Sequence, residues 1–317
     1  MPIRRCLAVG LLMTLIAAVT AQEAKPVKLE WKFEKDKTFY QTMTIETAQT
    51  LKFSGKEVSK KDKQTFFISW TPTKQEDKNW VFKLKIEGVQ LDLDVAGNKV
   101  AYDSTRDDNP TGELSAFYKG LLGSELTVTL DPEMHATNVE GREKIVEALE
   151  KADPQLKTLV DQLLTRDTLK QLADASFPTL PTREVKKGDT WTRLTGLTLG
   201  PIGTFETKYT YTNDGPEKDA NVEKISVKAE TTYKAPIDRT PGFPFKINSA
   251  DLKSAEGSGG TVRFRKDKGR PEKSELKLTL KGKLNVDVGG SASDVEVVNL
   301  TQTTTVTTTD ENPLKKK

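Results

Sequence analysis

Two-residue alternation of apolar and polar side chains runs through most of this chain, and nothing else in the sequence constrains its fold as strongly. Trp80, Phe82, Leu84 and Ile86 alternate with Lys83, Lys85 and Glu87. Phe66, Ile68 and Trp70 precede them, and Leu91, Leu93 and Val95 follow with Asp92 and Asp94 between. Phe39, Met43 and Ile45 keep the same beat near the start. Successive strand side chains point to opposite faces, so this pattern describes antiparallel strands with one buried and one wet face. Thr, a β-branched residue suited to pleated surfaces, supplies 40 of 317 residues, which strengthens the strand reading. Asp77-Lys78-Asn79 and Ala96-Gly97-Asn98 fall where hairpin turns belong.

The beat changes past residue 109. Leu114, Phe117, Tyr118, Leu121 and Leu122 have helical spacing, which predicts a short helix near 112–122 ending at Gly123. A hairpin follows, with Glu125 to Leu130 as its first strand, a turn at Asp131-Pro132, and a second strand up to Val139. A block of two to three amphipathic helices is expected over 141–177. Asp153-Pro154 starts one of them, with Leu156, Leu159, Val160, Leu163 and Leu164 as its apolar stripe. Another carries Leu169 and Leu172, and Pro178 and Pro181 close the block. Alternation then returns in Phe205, Tyr209 and Tyr211, in Ile225, Val227, Ala229 and Tyr233, and in Leu276 to Leu280 and Leu284 to Val288. Gly257-Ser258-Gly259-Gly260 reads as a flexible connection, and Pro241 to Pro244 as an interruption of pairing. The fold class is therefore mainly β (α+β): long antiparallel strands in curved sheets or an open barrel around a helical block. The organisation is 22–140, 141–177 and 178–313, with a basic tail at 314–317 whose Lys315 to Lys317 read as a solvated end.

The two β segments carry similar stretches in the same order, as an internal duplication would. Phe82 to Val95 parallels Leu276 to Val288, Lys35 to Phe39 parallels Lys187 to Trp191, and Asp107 to Pro110 parallels Asp310 to Pro313. Strand alternation alone generates such matches as well.

Residues 1–21 have the plan of a secretory signal. Arg4 and Arg5 precede an apolar run from Leu7 to Val19, and Val19-Thr20-Ala21 is a cleavage pattern. The run is short of the roughly 20 residues that a membrane span needs. Cys6 precedes the run, whereas a lipid-bearing Cys would follow it. Cleavage after Ala21 would remove the lone Cys and bring the net charge from +3 to about +1. This places the protein outside the cytoplasm, periplasmic or extracellular, with no disulfide, no integral membrane span and no nucleic-acid footprint.

Lys187-Gly-Asp-Thr-Trp191, Leu199-Gly-Pro-Ile-Gly-Thr-Phe205, and the hairpin from Leu130-Asp-Pro to Val139-Glu-Gly141 resemble a domain-of-unknown-function family of exported bacterial β-rich proteins. The resemblance implies no catalytic residues. The architecture is also similar to the half-barrels of envelope lipoprotein carriers.

The chemistry open to the chain is narrow. One His and one Cys exclude a His-rich or thiolate metal site. No nucleophile elbow, phosphate loop or dinucleotide glycine pattern occurs. His135 sits in the Asp131-Pro-Glu-Met-His turn and reads as a solvated loop residue. Asp92 and Asp94 share a strand face and are the one carboxylate pair that could serve a saccharide hydrolase or Ca²⁺. Asp103, Asp107, Asp108 and Asn109 form an oxygen-rich loop without EF-hand spacing. Thr301, Thr303, Thr305, Thr307 and Thr309 line one strand face, and Asn299-Leu-Thr301 matches a glycosylation sequon. No catalytic, cofactor or metal residue is assigned.

The reading is a non-catalytic envelope protein that binds an apolar or amphiphilic ligand, or a protein partner, on a curved sheet. A carboxylate hydrolase and a purely structural matrix component are the alternatives. The ligand face is expected on Phe66, Ile68, Trp70, Trp80, Phe82, Leu84 and Ile86, in any gap left beneath the helices.

Overall fold

A computed structural model of the chain describes residues 25–106, 113–152, 154, 156–236 and 245–315. Residues 1–21, Asp107, Asp108, Asn109, Asp153, the stretch Pro241 to Pro244 and the last two lysines lie outside the described residues.

The strands are β1 (Phe39–Phe53), β2 (Lys56–Glu76), β3 (Asn79–Val95), β4 (Asn98–Asp103), β5 (Glu125–Leu130), β6 (Ala136–Glu140), β7 (Thr190–Thr198), β8 (Thr204–Pro216), β9 (Val222–Lys234), β10 (Phe245–Ser254), β11 (Gly259–Arg265), β12 (Arg270–Val288) and β13 (Ser291–Thr309). The helices are α1 (Glu113–Leu121), α2 (Arg142–Ala152), α3 (Leu156–Leu163) and α4 (Arg166–Asp174). The strands make one 13-stranded sheet in the order β6-β5-β3-β2-β1-β13-β12-β10-β9-β8-β7. β4 attaches to β3, and β11 lies between β9 and β12. The two β segments meet where β1 pairs with β13, from Tyr40 opposite Thr309 to Phe53 opposite Val295. They form a single sheet. The matched stretches do not occupy equivalent places in it: Lys35 to Phe39 leads into central β1, whereas Lys187 to Trp191 leads into edge strand β7.

The sheet wraps around an interior. The segment before β1 lies across that interior and touches both halves. Val27 bridges Val185, Lys32 N–H donates to Gly269 O at 3.0 Å, and Asp36 N–H donates to Pro72 O at 2.7 Å. Trp31 stands edge-on to Phe264 of β11 at 6.0 Å and to Phe177 at 5.3 Å. Phe177 in turn packs on Trp70 of β2 at 4.9 Å. Trp70 and Phe82 are fully buried, and Phe66, Ile68, Trp80, Leu84 and Ile86 pack beside them. The expected ligand face is thus filled core. The reason is that three aromatic side chains from other parts of the chain, Trp31, Phe33 and Phe177, pack onto it. Phe177 is fully buried, which contributes roughly 1.5–3 kcal/mol; Trp31 and Phe33 are half-buried.

α1 lies within its expected span. Tyr118 and Leu121 are buried, and Tyr118 stacks on Tyr102 of β4 at 5.6 Å. α4 differs from expectation. Its buried face is Thr168, Leu169 and Ala173, with Thr165 as N-cap, so Leu172 points outward and is 44% exposed. The glycine run 257–260 is not a flexible connection. Ser258 is buried, and Gly259 and Gly260 open β11, wedged between two strands. A Cβ on Gly259 would overlap Val227 O, and one on Gly260 would overlap Glu275 O. Just before its lysine end the chain is packed. Leu314 lies over Gly88 and beside Phe67, so a Cβ at Gly88 would come 2.6 Å from Leu314 Cδ1. Lys315 is exposed.

An open sheet leaves two edges with unpaired backbone groups, a liability unless something covers them. Here the edges are β6 and β7, and α4 serves both. Asp174 Oδ1 accepts from Ala136 N–H of β6 at 2.5 Å, while Oδ2 lies 3.2 Å from Arg193 Nη2 of β7. Thr168 donates its hydroxyl to Thr198 O at 2.9 Å, and Gln171 Oε1 accepts from Thr198 N–H at 2.8 Å. α4 therefore closes the sheet by side-chain hydrogen bonds where a ladder is missing.

Candidate functional site

The middle of the inner face is built by β1, β13 and β12. Met43, Ile45, Thr47, Gln49 and Leu51 of β1 face inward, in register with Val306, Thr304, Gln302, Leu300 and Val297 of β13. Those continue into Ser274, Leu276, Leu278, Leu280 and Gly282 of β12. Two-residue periodicity sends the alternate positions outward, where Lys273, Glu275, Lys277, Lys281 and Lys283 are exposed. No inward position of β1, of β13, or of β12 from Ser274 onward carries a charge.

Burial sets this floor apart. Three hydrophobic cores flank it. One lies under the helices; one is built on Leu29, Val185, Ile225, Val262 and Phe264; one is built on Tyr233, Ile247, Leu252 and Val297. Met43, Ile45 and Leu278 belong to none of them and are half-buried, as are Leu276, Leu300, Thr47, Gln49 and Thr304; Gln302 is exposed. The face continues to the β1–β2 and β12–β13 hairpin tips, where Phe53 is 46% and Val288 59% exposed. The result is a long trough whose floor on β1, β13 and β12 is uncharged, with a polar centre. That centre is flanked by Leu276, Leu278 and Leu280 of β12 on one side and by the Lys60–Asp62 ion pair of β2, opposite Gln49 and Thr47, on the other.

Apart from Lys56, the charges on the remaining inward positions are paired, including Arg270, which lies over the Phe39 ring and contacts Asp310. Lys60 contacts Asp62 at 2.8 Å, Glu223 contacts Lys266 at 3.0 Å, and Arg193 contacts Asp174 at 3.2 Å. Lys56 stands at a hairpin tip. Arg193 has a side chain only 5% exposed, and its Nε and Nη2 make no hydrogen bond, while Nη1 donates to Phe177 O at 3.0 Å. Burial pushes the nearby Tyr209 hydroxyl up, and Tyr211 up to about 12. A polar cleft of about 400 Å³ opens along α4, lined by Thr165, Asp167, Lys170, Gln171, Asp174 and Thr198.

The residues singled out in the sequence fall elsewhere. Asp92 and Asp94 face outward; Asp92 is exposed opposite Lys63, and Asp94 Oδ1 accepts from Gly97 N–H in the β3–β4 turn. Burial raises the Asp103 carboxyl, but hydrogen bonds from Thr105 and Gln90 outweigh it and hold the group below the ordinary carboxylate range. His135 Nδ1 lies 3.3 Å from Asp131 Oδ2, and Asp131 Oδ1 ties the turn through Glu133 and His135 N–H. The Thr row of β13 faces outward beside Thr42 and Thr44 of β1, interrupted by the Glu46–Lys63 ion pair. Asn299 is half-buried and accepts from the Thr301 hydroxyl at 3.1 Å. Among the described residues no three His, Cys, Asp or Glu side chains gather as a metal site, and no helix is long and apolar enough to cross a membrane.

Sequence reasoning missed the floor because it ranked strands by their largest apolar side chains. The available signal was polar but uncharged residues, Thr47, Gln49, Gln302 and Thr304, at positions where alternation calls for core.

Residues 77–288 match a family of unknown function (DUF6263). The chain belongs to that family. No curated protein matches it. Among solved structures, this DUF6263 protein is similar to a lipovitellin chain described for its lipid–protein interactions. The identity is 10% and the TM-score 0.46, covering 90% of this chain but only 27% of that one. It is also similar to DynF from the dynemicin biosynthesis pathway of Micromonospora chersina, with 9% identity, TM-score 0.21, and 89% and 84% of the two chains covered. A DUF1329 family protein from Desulfovibrio piger gives 8% identity, TM-score 0.13, and 90% and 89% coverage.

Proposed function

We propose that this protein is a non-catalytic binding protein that is exported from the cytoplasm and holds an apolar or amphiphilic small molecule on the inner face of its sheet. One observation carries the reading: Met43, Ile45, Leu276 and Leu278 stand half-exposed on an uncharged face and outside the cores beside them, with the exception of Leu276, which borders one. Apolar side chains turned inward yet left wet gain free energy when a ligand covers them, at about 25 cal/mol per Å². Few convergent polar groups on an apolar surface is also the usual composition of a small-molecule site. Export rests on the character of residues 1–21.

The test is binding of a polarity-sensitive apolar dye, together with native mass spectrometry of protein purified from its host. The expected result is micromolar dye binding that Ile45→Glu or Leu278→Glu abolishes while melting behaviour is kept. Absence of dye binding and of any co-purified small molecule would leave a structural or partner-binding role instead.

A further inference from the structure

The trough also bears on which ligand it takes. We propose that its ligand is an electrically neutral amphiphile, and this rests on the binding reading above. The uncharged hydrogen-bonding part would sit over Thr47, Gln49, Gln302 and Thr304, and the apolar part over Met43, Ile45, Leu276 and Leu278.

The first argument is position. Gln302 is directly opposite Thr47, and Thr304 opposite Ile45, so the four polar residues form one island across two neighbouring strands. The offset pairing makes that island a diagonal run roughly 14 Å long and about 5 Å wide, with Ile45 and Leu300 at its other corners, room for a head group with several hydroxyl, ester or amide atoms. Leu278 lies next to Gln302 and Leu276 next to Thr304 on β12, while Met43 and Ile45 continue along β1. A molecule with one polar group and one chain matches this layout. Gln side chains both donate and accept, and Thr hydroxyls do the same, so alcohols, esters and amides all find partners there.

The second argument is charge. A carboxylate or phosphate buried in the trough would need a cation, because an unpaired buried ion is strongly unfavourable. The inward cations are already engaged: Lys60, opposite Gln49, by Asp62, which stands opposite Thr47; Arg193 by Asp174; and Arg270, over the Phe39 ring, by Asp310. Lys56 stands at the hairpin tip, away from the island. A buried ammonium fares no better, since Asp62 and Glu223 are likewise paired. The sheet offers a charged head group no free counter-ion at the floor.

The experiment is dye displacement from the full chain at pH 8 by three amphiphiles with the same alkyl chain: a monoacylglycerol, a fatty acid and a primary alkylamine. The monoacylglycerol should displace the dye at a concentration about tenfold lower than either charged probe. Thr47→Val with Gln302→Leu should reduce that preference to less than about threefold, with circular dichroism and melting as controls for folding. A fatty acid or amine that competes as well as the monoacylglycerol overturns the neutral assignment while leaving the binding site in place. So does an unchanged preference in the double variant. Failure of the dye itself to bind overturns both readings.

Discussion

Asp174→Ala removes the one carboxylate that holds both sheet edges, and its cost can be worked from the surroundings. The Arg193 guanidinium beside it has a side chain only 5% exposed. Once Asp174 is gone, the guanidinium loses its counter-ion and keeps only the hydrogen bond to the carbonyl of Phe177. Leaving a buried charge uncompensated costs about 3–5 kcal/mol. Asp174 is itself 24% exposed, so water softens the pair and the lower end of that range applies. The freed Ala136 N–H adds about 1 kcal/mol. The converse change, Arg193→Met, leaves a carboxylate that water and Ala136 N–H can still serve, so it should cost only about 1 kcal/mol. The double variant should be more stable than Asp174→Ala alone, with a coupling of about 2 kcal/mol. Urea unfolding followed by tryptophan fluorescence measures all three. With a slope on the order of 3 kcal/mol per molar, Asp174→Ala moves the midpoint down by roughly 1 M. Costs that add to within about 0.5 kcal/mol, or an Arg193→Met variant less stable than Asp174→Ala, would refute the clasp.

Gly260→Ala should destabilise by about 3 kcal/mol or prevent folding, because its Cβ would overlap the backbone of β12; a melting curve like that of the unmodified protein would count against β11 as a tightly wedged strand. Leu172→Ser and Leu194→Ser should each change stability by less than about 0.5 kcal/mol, whereas Leu169→Ala costs about 2 kcal/mol or more, read from urea midpoints. Burial raises the Tyr211 and Tyr233 hydroxyls from 10.0 to about 12, so the neutral form is favoured in the folded state. That contribution is complete below pH 10 and is lost as pH rises toward about 12, so the urea midpoint should hold steady up to about pH 10 and fall above it; phenolate absorbance that appears near pH 10 without unfolding would contradict this.

The strands were legible because their signal is local. Phe82, Leu84 and Ile86 declare an inward face within a few residues, and β3 and β12 follow the expected alternation. Helix positions were legible for the same reason, but helix orientation was not. Leu172 has helical spacing from Leu169, yet α4 turns it to solvent because Thr168, Gln171 and Asp174 are needed at the two edge strands. The candidate site was misplaced onto β2 and β3. Their large side chains invite a ligand only if nothing else covers them, and Trp31, Phe33 and Phe177 do.

The sequence by itself determined which residues share a face, that the chain is mainly β with a helical insert, and that one Cys and one His cannot make an internal disulfide or a thiolate zinc site. Those properties depend on residue type and short-range spacing. Only the tertiary structure decided that β1 pairs with β13, that α4 closes the sheet between β6 and β7, and which inward side chains stay wet. Each of these depends on contacts between residues far apart in the chain, where alternation specifies a face to be covered but not the partner that covers it.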